Sequence, residues 1–198
     1  IGGAAALRTL QTARQRASES LAPWLAICLA ALDEPEGLEQ TIALARGSDS
    51  EFKVCAISAL GLARSRVAVD ALASLTETSD VQIRLLAASS LSRPGNLAAQ
   101  GALGKLLEKS RATDDRQGTS VAALGLGMAG DERAVPTLER LIQDSDPSIR
   151  KAAVVGLFYL TGRVYRYTNV WGAPSRFEPT TFHQKLRSDR LARLPARR

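Results

Sequence analysis

Four aspartates recur along the chain, Asp49, Asp80, Asp115 and Asp146. Carboxylates in series can serve as general acids and bases, hold a hard cation, or cap the exposed N–H groups of helices. Each stands three residues before a position filled by Phe52, Ile83, Gly118 or Ile149. A reacting carboxylate has no reason to recur, whereas every helix start presents the same unpaired donors. The series therefore reads as structural repeat caps. His183 is the only histidine, and no Cys-x-x-Cys accompanies it, so neither a zinc site nor a His-centred base is expected. Cys28 and Cys55 sit in apolar stretches and read as buried structural thiols. "GLGMAG" (Gly125 to Gly130) is glycine-rich but matches no phosphate-binding fingerprint. No catalytic residue, metal site or cofactor is expected.

The elements that must carry these residues follow from the phrase around each aspartate. "SDPSIRKAA" (Ser145 to Ala153) echoes "SDVQIRLLA" (Ser79 to Ala87) and "SDSEFKVCA" (Ser48 to Ala56). A weaker copy, "DDRQGTSVA", starts at Asp114, and a degenerate one, "SLAPWLAIC", at Ser20. Aligned this way, a leucine falls eight residues after each apolar position, at Leu32, Leu60, Leu91, Leu126 and Leu157, with spacings of 28, 31, 35 and 31. Such a period fits one helix pair per repeat. Lys53, Arg84 and Arg150 stand four residues after their aspartates, a favourable helical pairing. The small residue closing each phrase (Cys28, Ala56, Ala87, Ala122, Ala153) lets helices approach closely. Ahead of each phrase lies a second amphipathic segment, such as "RAVPTLERLIQ" with Val135, Leu138, Leu141 and Ile142 on one face. Breakers are read at Pro35-Glu36-Gly37, Arg93-Pro94-Gly95-Asn96 and Gly130-Asp131.

The stretch "GDERAVPTLERLIQDSDPSIRKAAVVGL" and its upstream echoes resemble the HEAT-like repeats of the phycobilisome-lyase type, over about residues 5–162. The resemblance implies an all-α, right-handed α-solenoid of about five helix pairs, stable because stacked pairs share one core. Three enzymatic families of this kind need residues that the chain supplies poorly. Bilin lyases share the repeat length, but the chain carries no separate chromophore motif. Deoxyhypusine hydroxylases use His-Glu iron ligands, which a single histidine cannot supply. DNA glycosylases of HEAT-like fold need a basic concave face, and here the phrases offer only Lys53, Arg84, Arg150 and Lys151. The surface expected there is small and mildly polar, with Ser58, Ser89, Ser90 and Ser120, and suits a peptide or another protein.

Net charge is +6, but residues 163–198 hold nine Lys/Arg against Glu178 and Asp189, leaving the body nearly neutral. Tyr165, Tyr167, Trp171, Phe177 and Phe182 crowd the same segment, and Thr181-x-x-Gln184 has the form of a capping box for a closing helix. The expected division is a repeat array over 1–162 and a basic, aromatic, irregular C-terminal arm over 163–198. Three uses of the arm compete: a cap on the last repeat, an anchor in a partner, and stacking on single-stranded nucleic acid. The chain lacks an apolar run long enough to span a membrane, and "IGGAAALRTL" is not laid out as a signal peptide, so a processed product or a piece of a longer protein is expected. The reading is a non-catalytic scaffold or adaptor subunit that binds protein through Tyr165, Arg166, Tyr167, Trp171 and Arg176. Nucleic-acid binding through the tail, and a lyase or chaperone for a protein-bound cofactor, are the alternatives.

Overall fold

A computed structural model describes residues 3–48, 50–93 and 96–193. The chain divides into two compact units, Ile1–Ser90 and Leu91–Arg198. The first contains α1 (Gly3–Arg14), α2 (Ala22–Ala31), α3 (Pro35–Arg46), α4 (Ser50–Leu60), α5 (Arg66–Leu75) and α6 (Val81–Leu91). The second contains α7 (Gln100–Ala112), α8 (Arg116–Ala129), α9 (Val135–Leu141) and α10 (Pro147–Thr161), then β1 (Arg166–Thr168), β2 (Pro174–Arg176) and α11 (Thr181–Arg193). Short 3-10 turns at Leu97–Ala99 and Glu132–Ala134 lead into α7 and α9. The all-α repeat fold expected from the sequence is the fold observed, and each unit is made of consecutive helix pairs.

The second helix of each pair buries the same pattern, two residues, a gap of one, then two more. The residues are Ala56-Ile57 and Ala59-Leu60 on α4, Ala87-Ala88 and Ser90-Leu91 on α6, Ala122-Ala123 and Gly125-Leu126 on α8, and Ala153-Val154 and Gly156-Leu157 on α10. Positions i, i+1, i+3 and i+4 form one stripe of a 3.6-residue helix, so a single face supplies the core. On α2 this pattern is Ala26-Ile27 and Leu29-Ala30. That corrects the alignment of the first copy. Cys28 is exposed and Leu32 is 41% exposed, because the phrase starts two residues earlier, at "SESLAPWLA" (Ser18 to Ala26), with Glu19 in the acidic position. The expected burial of both thiols fails: Cys28 faces away from the core stripe, and Cys55, one residue ahead of the stripe on α4, is half-buried.

Helix starts follow from local chemistry. Asp80 accepts from the Gln82 and Ile83 amides at 2.9 and 3.1 Å. Asp115 accepts from Gly118 at 2.9 Å, and Asp146 from Ser148 and Ile149 at 2.7 and 3.3 Å. Asp49, Pro94 and Gly95 lie outside the described residues. Pro35 does not break a helix but opens α3 at its first turn, where a missing N–H costs nothing. Gly37 follows it because a Cβ there would sit 2.5 Å from Leu29 Cβ.

The tightest packing in the second unit is between α8 and α10. A Cβ on Gly127 would lie 2.2 Å from Gly156 Cα and 2.4 Å from its carbonyl oxygen. Two backbones meet there with no side chain between them. This is the use of "GLGMAG", which ends at Gly130 in the left-handed conformation (φ 98°) that closes α8.

Candidate functional site

After α10 the chain departs from the repeat. Gly162, at φ 74°, closes α10 by donating its N–H to the Phe158 carbonyl. The stretch expected as irregular then forms an antiparallel hairpin with Arg166 opposite Arg176, Tyr167 opposite Ser175 and Thr168 opposite Pro174. Its turn is built by Asn169. The Asn169 amide donates to the Ala173 carbonyl at 2.9 Å, and the Gly172 amide donates to the Asn169 carbonyl at 3.1 Å. Asn169 Oδ1 accepts from the Trp171 and Ala173 amides, each at 3.0 Å, while its Nδ2 donates to Ser175 Oγ at 2.9 Å. Gly172 takes the left-handed conformation (φ 74°) the turn needs. Trp171, at the tip, is 86% exposed, and Val170 beside it is also exposed.

The root of the hairpin is fastened to α10. Arg150 donates from Nε to the Thr168 carbonyl at 2.6 Å and from Nη2 to Asn169 at 3.2 Å, and its Nη1 reaches Asp144 and Ser145 carbonyls at 2.8 and 2.7 Å. The expected pairing of Arg150 with Asp146 is replaced by these carbonyls, because a planar guanidinium reaches several acceptors at once. Phe177 packs edge-on against Phe158, with ring centroids 5.5 Å apart. His183 lies edge-on to Phe177 at 5.0 Å and near Tyr159 at 6.3 Å. The start of α11 is a reciprocal capping box one residue earlier than Thr181 and Gln184 suggest. His183 Nδ1 accepts from the Thr180 amide at 3.2 Å, and Thr180 Oγ1 faces the His183 amide at 3.5 Å. The lone histidine thus has a structural use that its isolation in the sequence concealed. Arg187 lies over Gly162, where an added Cβ would meet its guanidinium at 2.6 Å.

The structure separates the five residues expected to bind a partner. Arg166, Arg176 and Trp171 are exposed. Tyr165 and Tyr167 are half-buried on the opposite hairpin face, the one that carries Phe177 onto Phe158. Sequence reasoning missed Asn169, Gly172 and Arg150. The Asn-x-x-Gly spacing in "NVWGA" was a legible hairpin signal for the first two; Arg150 offered none, since its acceptors come from a distant turn.

Elsewhere, the serines expected on the open face divide. Ser90 is buried, Ser120 Oγ is buried without a partner, Ser58 donates to the Val54 carbonyl at 2.8 Å, and Ser89 is exposed. In the first unit the face of α2, α4 and α6 is more apolar than expected, with Trp24 edge-on to Phe52 at 5.1 Å and Leu21, Val54 and Val81 exposed. Three groups have shifted acidities, the Arg133 guanidinium being raised by its side-chain hydrogen bond to Asp131. The side-chain hydrogen bond from Arg133, ahead of an opposing burial effect, holds the Asp131 carboxyl below its ordinary range. Burial raises the Tyr159 phenol. Among the described residues no cluster of three His, Cys, Asp or Glu could hold a metal, and no helix is long and apolar enough to cross a membrane.

Residues 101–158, from α7 to α10, match the family model for HEAT repeats. No curated protein matches the chain. HEAT repeats commonly serve as protein-interaction scaffolds, and the fold is typically non-enzymatic.

Proposed function

We propose that this HEAT-like repeat protein is a non-catalytic scaffold or adaptor subunit of a larger complex, with an array over 1–162 and an arm over 163–198 that anchors a partner. The observation that carries this reading is Trp171: 86% exposed, yet held by a turn that Asn169 bonds internally and Arg150 of α10 fastens from outside. An ordered exposed tryptophan keeps apolar surface in water, and tryptophan is among the residues enriched at interface hot spots. The conformational cost of presenting it is met before the partner arrives. The root of the arm has a second use, since Phe158 and Tyr159 of the last repeat lie beneath it. Cap and anchor are then different parts of one segment. A non-catalytic role is supported by the uses the candidate chemical groups already have, Asp80, Asp115 and Asp146 as caps and His183 in its capping box.

The test is a pull-down from native lysate with the full chain, the Trp171→Ala chain and a chain ending at Gly162, with proteins identified by mass spectrometry. Defined proteins captured by the full chain and lost with Trp171→Ala support the anchor. Equal capture by the full and Trp171→Ala chains refutes it. Aggregation of the shortened chain alone marks the arm as chiefly a cap.

A further inference from the structure

The hairpin opposes two like charges. Its ladder bonds fall at Tyr165 with Phe177 and at Asn169 with Ala173, so the alternation of an antiparallel pair makes Arg166 and Arg176 a non-hydrogen-bonded pair. In such a pair the side chains stand closest, with Cα atoms about 4.5 Å apart, and like charges there are unfavourable. Both arginines are exposed, and among the described residues only Arg176 has a carboxylate within ion-pair distance, Glu178 at 3.4 Å. The opposite face already packs on α10, so the arginine face is the one left open. We infer that Arg166 and Arg176 form a two-guanidinium clamp for the carboxylates of an acidic segment in a protein partner, with Trp171 as its apolar neighbour. This rests on the hairpin being the anchoring element.

Charge complementarity selects the occupant: two adjacent guanidinium forks match carboxylates, and their mutual repulsion is relieved when an anion bridges them. Recognition runs through side chains rather than strand addition, because Pro174 leaves the β2 edge without one of its donors. A nucleic acid fits less well. Successive bases need several open rings, and here Tyr165, Tyr167 and Phe177 are half-buried while Trp171 alone is offered from the hairpin.

The full chain is titrated into a labelled oligoglutamate peptide and, separately, a labelled oligothymidylate, with binding read by fluorescence anisotropy. Arg166→Ala with Arg176→Ala is expected to weaken oligoglutamate binding about tenfold or more. Arg163→Ala with Lys185→Ala removes the same charge from exposed positions and is expected to change it by less than about twofold. Equal losses in both double variants, absence of oligoglutamate binding, or tighter oligothymidylate binding that depends on the arginine pair would each overturn the clamp. Circular dichroism checks that the variants keep their helices. In the lysate experiment, partners retained by the Arg166→Ala, Arg176→Ala chain but lost by Trp171→Ala refute the clamp and leave the scaffold standing. Partners retained by Trp171→Ala remove the anchor beneath both.

Discussion

Gly127→Ala tests the packing of the second unit most directly. The new Cβ would sit 2.2 Å from Gly156 Cα and 2.4 Å from its carbonyl oxygen, where carbon atoms prefer about 3.5–4.0 Å. Both obstacles are backbone, so no rotamer relieves them. Helices α8 and α10 must part by roughly 1.5 Å, loosening contacts along a face that includes Ala123, Val154 and Leu157. Overpacking of this kind costs about 1–3 kcal/mol and occasionally more, against about 1 kcal/mol gained by replacing a helical glycine with alanine. With both obstacles backbone the cost falls at the upper end, about 3 kcal/mol, and the expected net loss is about 2 kcal/mol, a fall in melting midpoint of roughly 4–8 °C for a chain of this size. Gly156→Ala meets its nearest atom, the Ala123 carbonyl oxygen, at 3.0 Å, so its loss is smaller. Gly104→Ala on α7 meets nothing within 4 Å and should raise the midpoint through helix propensity alone. One substitution type at three glycines thus gives three outcomes in a fixed order, read by thermal melts followed by circular dichroism. A Gly127→Ala protein as stable as the parent, or a Gly104→Ala protein less stable than Gly127→Ala, refutes the backbone contact between α8 and α10.

Removing Arg150 as Arg150→Ala frees the Thr168 and Asn169 carbonyls and should destabilise by about 2 kcal/mol, with faster limited proteolysis between residues 165 and 178. An unchanged digestion pattern argues that Arg150 does not hold the hairpin. Asp146→Ala removes a cap with two amide partners and should cost about 1 kcal/mol, measured by urea denaturation, with Asp146→Asn recovering most of it. Because burial raises the Tyr159 phenol above its unfolded value, its contribution to stability is fully present below the unfolded pKa of about 10 and is lost as pH rises through the folded one. Ultraviolet titration of the phenolates should show one of the three tyrosines ionising last, and Tyr159→Phe should abolish that last step. Asp131 works in the opposite direction: its lowered pKa gives stability above the unfolded carboxyl range that fades as pH falls, a slope that Asp131→Asn should flatten.

Much of the repeat was legible because its determinants are local. An aspartate that caps its own helix, an alanine that lets the next helix approach, and a proline at a first helical turn act within a few residues, so Asp80, Asp115, Asp146 and Pro147 could be read in the one-dimensional text. The first copy was misaligned because its cues are weak: Glu19 stands where an aspartate usually does, and a Ser20 start matches nearly as well as Ser18. Only packing distinguishes Ala26 from Cys28, since one meets the core and the other does not. The site divides along the same line. Sequence alone showed that Trp171, Arg166 and Arg176 share a basic, aromatic segment, because composition needs no coordinates. Their separation from Tyr165 and Tyr167 depends on hairpin register, and the hairpin's seat depends on Arg150 reaching carbonyls nearly twenty residues away. Tertiary structure decided these features because each is a meeting of groups far apart in the chain, and no local preference encodes which distant backbone a guanidinium or a bare glycine will meet.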